Sequence, residues 1–189
     1  MKTNYCKNCC ILPCLALLLT QVAMVSASAA DVNDNPGQFS SSDYKFAKEA
    51  ARGGMFEVNL GNMAAANSKN TAVQQFGQHM VADHGKAGHD LEQIASRKGA
   101  SLPSQLTTRQ QREVDHLAKL SGPEFDRAYT SLMVKAHKAD EKAFKKESEE
   151  AQDPDLKNFA ATTLTMVQEH LKMAQDLEGS VKNELSSNP

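Results

Sequence analysis

Four long stretches of this chain carry apolar residues at alternating spacings of three and four, and that pattern restricts the fold more than any other feature. The first runs from Ser42 to about Asn67, with Phe46, Ala50, Gly53, Glu57, Leu60 and Ala64 on one stripe. The second begins at Asn70 or Thr71 and stops at Gly99, with Val73, Phe76, Met80, His84, Ala87, Leu91 and Ile94. The third opens at Ser121-Gly122-Pro123-Glu124 and carries Phe125, Tyr129, Met133, His137 and Phe144. The fourth restarts after Asp153-Pro154 with Leu156, Phe159, Thr163, Met166, His170, Met173, Leu177 and Val181. A period near 3.6 places each set on one helical face, and an isolated helix gains too little to persist unless that face is buried. The stretches must therefore pack on one another.

Composition agrees. Aromatic residues make up 5% of the 189 residues and Trp is absent, whereas Ala, Lys, Glu, Gln, Met and Leu abound. These are helix formers rather than strand formers. A hydrophobic content of 40% suffices for one domain with a core. The ends carry helix signals: Ser40-Ser41-Ser42 as caps, Gly99 as a stop, a capping box at Ser121 to Glu124, and Asp153 as N-cap before Pro154. The fold class expected is all-α.

Connection lengths predict the topology. The first and second helices, like the third and fourth, are joined by so few residues that each pair must be antiparallel. Between the second and third lies SLPSQLTTRQQREVDHLAKLS, residues 101–121, with a capping-box-like Thr108 to Gln111 and room for a short helix. A segment of that length can run from one end of a bundle to the other. The expectation is a ferritin-like four-helix bundle over residues 42–185, with a long crossover in its middle.

The first thirty residues read as an export leader. Lys2 and Lys7 form a positive start, Ile11 to Val25 an apolar run, and Ala27-Ser28-Ala29 a small-residue cleavage site. The run is shorter than the roughly 20 residues that span a bilayer, and Pro13, Thr20 and Gln21 interrupt it. All 4 cysteines, Cys6, Cys9, Cys10 and Cys14, fall in this leader, so the mature chain would hold neither thiol nor disulfide. Residues 31–41, rich in Asn, Asp, Ser, Pro and Gly, read as a flexible lead-in. The expected destination is the periplasm, with attachment to the outer membrane or secretion as alternatives and no transmembrane helix in the mature chain. Losing Lys2 and Lys7 would make a chain of net charge −2 two units more acidic. No Lys/Arg cluster is interleaved with aromatics, which argues against nucleic acid as a partner. The sequence identifies no protein or envelope partner.

One pattern recurs. MVADH at 80–84, MVKAH at 133–137 and MVQEH at 166–170 place Met four and Val three positions before three of the 6 histidines. A duplication of helical hairpins would explain part of this, since DHGKAGHDLE at 83–92 aligns without gaps on EHLKMAQDLE at 169–178. The stretches FEVNLGNMAAANSKNTAVQQFGQHMVADH, FDRAYTSLMVKAHKADEKAF and DLKNFAATTLTMVQEHLKMAQDL resemble the secreted bacterial domain of unknown function 4142, a ferritin-like family often labelled as outer-membrane proteins. The likeness covers roughly residues 42–180. It implies the fold, export, and four positions of interest, Glu57, His84, His137 and His170.

The stripes lead to the same four positions. Each lies near the middle of a different helix, so aligned helices would bring a carboxylate and three imidazoles into one layer of the core. A buried polar group without a partner costs about 1–3 kcal/mol, and an isolated charge more. Glu57, His84, His137 and His170 must therefore satisfy one another as a structural cluster, or hold a transition metal ion such as Zn, Cu, Mn or Fe. A ferritin-like di-iron site would need Glu three before histidine, and Val81, Val134 and Val167 stand there instead. Asp140 and Glu141, one turn after His137, are possible accessory carboxylates.

Met80 and Met133 are possible accessory thioethers. With the second and third helices parallel and the fourth opposed, these two share one side of the histidine layer and Met166 takes the other, and all three read chiefly as core filling. His79, His89 and His116 fall off the stripes and read as solvated; Lys142 to Glu150 reads as a solvated face. Gly53-Gly54 would allow close helix approach beside Glu57. There is no Ser nucleophile elbow, phosphate loop or cysteine nucleophile. Two function classes stay open: metal binding in the cell envelope, or a non-enzymatic interaction or stress protein with a structural polar cluster. An enzyme using the site is neither indicated nor excluded.

Overall fold

The computed structural model describes residues 38–187, so the leader read at 1–30 and most of the lead-in lie outside the described residues. Five helices follow in order: α1 Ser41–Asn67, α2 Thr71–Arg97, α3 Thr108–Leu117, α4 Gly122–Glu150 and α5 Pro154–Ser187. Among the described residues there is no strand, and no helix is long and apolar enough to cross a membrane.

The helix ends show how local sequence sets these limits. Ser40 caps α1 by accepting the Asp43 N–H at 3.1 Å. Phe39, expected in the lead-in, is instead buried and stacked on Tyr44, a hydrophobic staple across the cap that fixes the chain's entry. Asn70 caps α2 through Ala72 N and Val73 N, and Gly99 ends it at φ +64. The capping box of α3 forms at Thr107 and Gln110, one residue before the Thr108 to Gln111 reading. The box expected at Ser121 does not form: Ser121 makes no side-chain cap bond, and Gly122 at φ +54 with Pro123 turns the chain into α4. Asp153 accepts the Leu156 N–H at 2.9 Å and starts α5.

α1 packs along α2 and α4 along α5, and the two hairpins meet through α2 with α5 and α1 with α4. Two apolar clusters fill the interior. One gathers Leu60 and Ala64 from α1, Val73 and Met80 from α2, Phe125, Tyr129 and Met133 from α4, and Leu177 and Val181 from α5. The other gathers Phe46, Leu91, Ile94, Phe144, Leu156 and Phe159. The starts of α2 and α4 thus share one cluster with the ends of α1 and α5, so α2 runs parallel to α4 and both oppose α1 and α5. Residues 98–121, including α3, return the chain along the length of the helices.

The seam of α5 differs from its predicted stripe. Ala160, Val167, Leu171 and Ala174 are buried, Met166 is half-buried, and Met173 is 36% exposed. The seam takes the small alanines, which let neighbouring helices approach, and leaves the longer methionines at its edge. The run 142–150 is also less solvated than expected, because Phe144 and Glu147 are buried. Burial, helped by nearby Asp43, pushes the Glu147 carboxyl up to about 7. Asp43 accepts the backbone N–H groups of Gln152 and Asp153 at 3.3 and 2.9 Å and clasps the start of α1 to the α4–α5 turn.

The closest approach of α1 and α2 falls at Gly61 and Gly77, not at Gly53-Gly54. A Cβ on Gly61 would lie 2.6 Å from the Gly77 carbonyl oxygen, whereas one on Gly53 or Gly54 would meet its nearest atom at 3.8 Å. Gly61→Ala should destabilise the protein by about 1–3 kcal/mol in urea denaturation, as forced overpacking does. Gly179→Ala, on a helix surface with nothing within 4 Å, should stabilise by up to about 1 kcal/mol.

Candidate metal centre

Glu57 on α1, His84 on α2, His137 on α4 and His170 on α5 come together between the two apolar clusters, at 2%, 6%, 0% and 1% exposure. The three imidazole centroids form a near-equilateral triangle with sides of 5.5, 5.2 and 5.5 Å. One ring nitrogen from each lies within 4.8 Å of the other two.

The outer edges of the rings are held by acceptors. His84 Nδ1 lies 3.0 Å from Glu57 Oε2. His137 Nδ1 lies 3.0 Å from the Met133 carbonyl oxygen and 3.4 Å from Glu57 Oε1. His170 Nε2 lies 2.9 Å from Asp83 Oδ2. A neutral imidazole has one N–H and one lone pair, and a carboxylate or carbonyl accepts only the N–H. The three protons therefore face outward, leaving lone pairs on His84 Nε2, His137 Nε2 and His170 Nδ1. His84 Nε2 and His170 Nδ1 are 3.3 Å apart, and buried His137 Nε2 has no hydrogen-bond partner.

Electrostatics reinforce this arrangement. Burial depresses all three imidazoles, His84 to about 4, so they are neutral near pH 7. Burial raises Glu57, opposed by His137 and Asp140. Burial and then the Glu57 charge raise Asp140 well above the usual carboxylate range. Both carboxyls of the Glu57–Asp140 pair are held above the usual range, Asp140 well above it. Each ligand-type nitrogen is thus backed by a fixed acceptor, the arrangement that orients metal-binding imidazoles.

The residues predicted from sequence divide into distinct places. His84, His137 and His170 supply the convergent nitrogens. Glu57 sits on the Nδ1 side of His84 and His137, with Oε2 3.0 Å from His84 Nδ1 and a buried Oε1 that has no hydrogen-bond partner, 3.4 Å from His137 Nδ1. Asp140 faces Glu57, whereas Glu141 accepts a hydrogen bond from Gln168 at 3.1 Å on the surface. Met80 and Met133 are buried in the same apolar cluster, and Met166 packs against the other. His79, His89 and His116 are exposed. Asp83 was missed. It stands next to His84 in MVADH, but one residue along a helix turns roughly 100°, so Asp83 reaches α5 while His84 faces inward.

Three openings adjoin the centre, one of them a groove of about 690 Å³ whose lining includes His84, Gly54 and Gly88. A cavity of about 20 Å³ lies beside Glu57, His84 and Asp140, bounded by Gly53, Gly54 and Phe144. It has room for about one water molecule. Here Gly53 and Gly54 make space instead of a close contact. Asp83, whose side chain is 45% exposed, also lines an outer groove between α2 and α5 with Asp90 and Asp155, so the far edge of His170 is one carboxylate from solvent.

Residues 28–177 match the family described as "Domain of unknown function (DUF4142)". The chain belongs to that family. No curated protein matches this DUF4142 chain. A solved structure, the crystal structure of a DUF305 fragment from Deinococcus radiodurans, is similar to it with a TM-score of 0.68 at 13% identity. That match covers 76% of the DUF4142 chain and 99% of the fragment, and the likeness is one of fold.

In the metal-free protein, burial should hold the His84 ring neutral well below the ordinary histidine range. Its NMR titration midpoint should lie near 4, so its Cε1 resonance should stay at the neutral position as pH falls through 6. A midpoint near 6.5 would show that the ring is solvated.

Proposed function

We propose that this DUF4142 chain is an exported, ferritin-like four-helix bundle that binds one transition-metal ion through His84, His137 and His170. The observation that carries the reading is the convergence of three imidazole lone pairs whose N–H groups are all committed to outward acceptors. Three lone pairs facing one another in a dry core repel, and each unpaired one costs about 1–3 kcal/mol. A central cation removes that cost and balances the acidic groups behind the rings. Imidazole nitrogens at the ~2.0–2.1 Å of zinc bonds and tetrahedral angles are about 3.3–3.4 Å apart, which suits the 3.3 Å between His84 Nε2 and His170 Nδ1.

The donor set favours Zn, Cu, Mn or Fe over Ca or Mg, which prefer all-oxygen sites. Val81, Val134 and Val167 stand where a di-iron site needs Glu, so oxygen activation at a metal pair is not part of the proposal. The cavity of about 20 Å³ beside Glu57 admits a water, and a groove of about 690 Å³ reaches His84. We assign the protein to metal holding in the cell envelope. Parallel α2 and α4 joined by the long crossover support the ferritin-like connectivity. Export rests on the leader of Lys2, Lys7, Ile11 to Val25 and Ala27-Ser28-Ala29, with the periplasm as the first destination.

A structural role is the competing reading, and the same 3.3 Å contact favours it, since one shared proton would join His84 to His170. Elemental analysis of untagged protein recovered from the periplasm separates the two. The parent should carry close to one ion per chain, His170→Ala almost none, and Asp83→Asn should bind about 10–100-fold more weakly, as removal of an orienting partner does. A folded parent that neither carries nor takes up Zn, Cu, Mn or Fe would leave the cluster as a register pin between hairpins.

A further inference from the structure

Away from the histidine centre, α3 lies against α4 and leaves a groove of about 510 Å³. Its floor is apolar, formed by Leu117, Ala128 and Leu132. Its rim is basic: Arg109, Arg112 and His116 come from α3 and Lys135 from α4. The one acidic lining residue, Glu113, is matched by Arg109 at 3.5 Å. Among the described residues, Arg112 and Lys135 have no ion-pair or hydrogen-bond partner.

Elsewhere on the described surface some cations are paired, whereas others, such as Lys45, Arg127 and Lys142, are not. Lys86, Lys146 and Lys182 each pair with a carboxylate four positions away on the same helix. Two unpaired cations over an apolar floor, in a chain of net charge −2, leave both an electrostatic and a hydrophobic demand unmet. The walls are fixed in advance: Leu117 is fully buried, the Thr107–Gln110 box caps α3, and Gln110 donates to the Arg52 carbonyl at 3.2 Å. The volume lies in the ~300–1,000 Å³ range of small-molecule sites. A bare phosphate would use the rim and waste the floor, and a nucleic acid would find no aromatic ring among the lining residues.

We propose that this groove binds a free single-chain amphiphile with an anionic head, a fatty-acid-type carboxylate. The tail lies on Ala128 and Leu132 above buried Leu117, and the head sits between Arg112 and Lys135, where charge-assisted hydrogen bonds are available. The site is independent of the metal reading, because none of its residues touches the imidazole cluster.

Isothermal titration of the periplasmic protein with dodecanoate, kept below its micelle concentration, tests the proposal. One molecule should bind per chain, and Arg112→Glu with Lys135→Glu should weaken it about tenfold or more while leaving circular dichroism and metal content unchanged. Leu132→Ser should weaken it without altering its salt dependence. Dodecyltrimethylammonium should bind less tightly than dodecanoate. Equal binding of the cationic amphiphile, no loss in the charge-reversed variant, full competition by inorganic phosphate, or binding to anionic vesicles without binding of monomeric dodecanoate would each overturn it.

Discussion

The structure depends on how three buried imidazoles are held from behind. Glu57, the Met133 carbonyl and Asp83 each take one N–H, and together they set which nitrogen of each ring faces the centre. Because the four groups stand on four helices, this arrangement exists only when α1, α2, α4 and α5 have one relative register. A shift of one turn, about 5.4 Å, would drive a histidine into Phe- and Leu-lined core and leave its partners exposed or unpaired. The apolar clusters above and below supply burial, and the polar layer supplies specificity of alignment.

The same layer explains the repeated Met-Val-x-x-His pattern. The methionine, one turn earlier, falls in an apolar cluster: Met80 and Met133 in one, Met166 at the edge of the other. The valine varies in role, since Val167 is fully buried, Val134 nearly so, and Val81 half-buried. Packing accounts for the aliphatic positions. Only the histidines call for a further cause, and that cause is the convergence of their lone pairs.

Helix number and approximate ends were legible because three-and-four spacing and cap residues are local signals. Legibility failed where geometry decides between neighbours. Thr107 and Thr108 are equally good caps by type, and Ser121 lost its cap to a left-handed Gly122. On α5 both Met and Ala suit a buried stripe, and only the distance to the neighbouring helices selects Ala160 and Ala174 over Met166 and Met173. The four polar positions of the centre were readable as charged or ionisable breaks in apolar stripes. Their division of labour was not, because it depends on which ring edge meets which neighbour. Asp83, off the stripe of α2, gave no periodic signal at all.

X-ray absorption spectroscopy of the metal-loaded protein tests the central claim most directly. The account predicts a first shell with three imidazole nitrogens, recognisable by their ring scattering, at about 2.0–2.1 Å for zinc, plus at most one oxygen from water. A shell dominated by carboxylate oxygens, thioether sulfur or fewer than three imidazoles would contradict it.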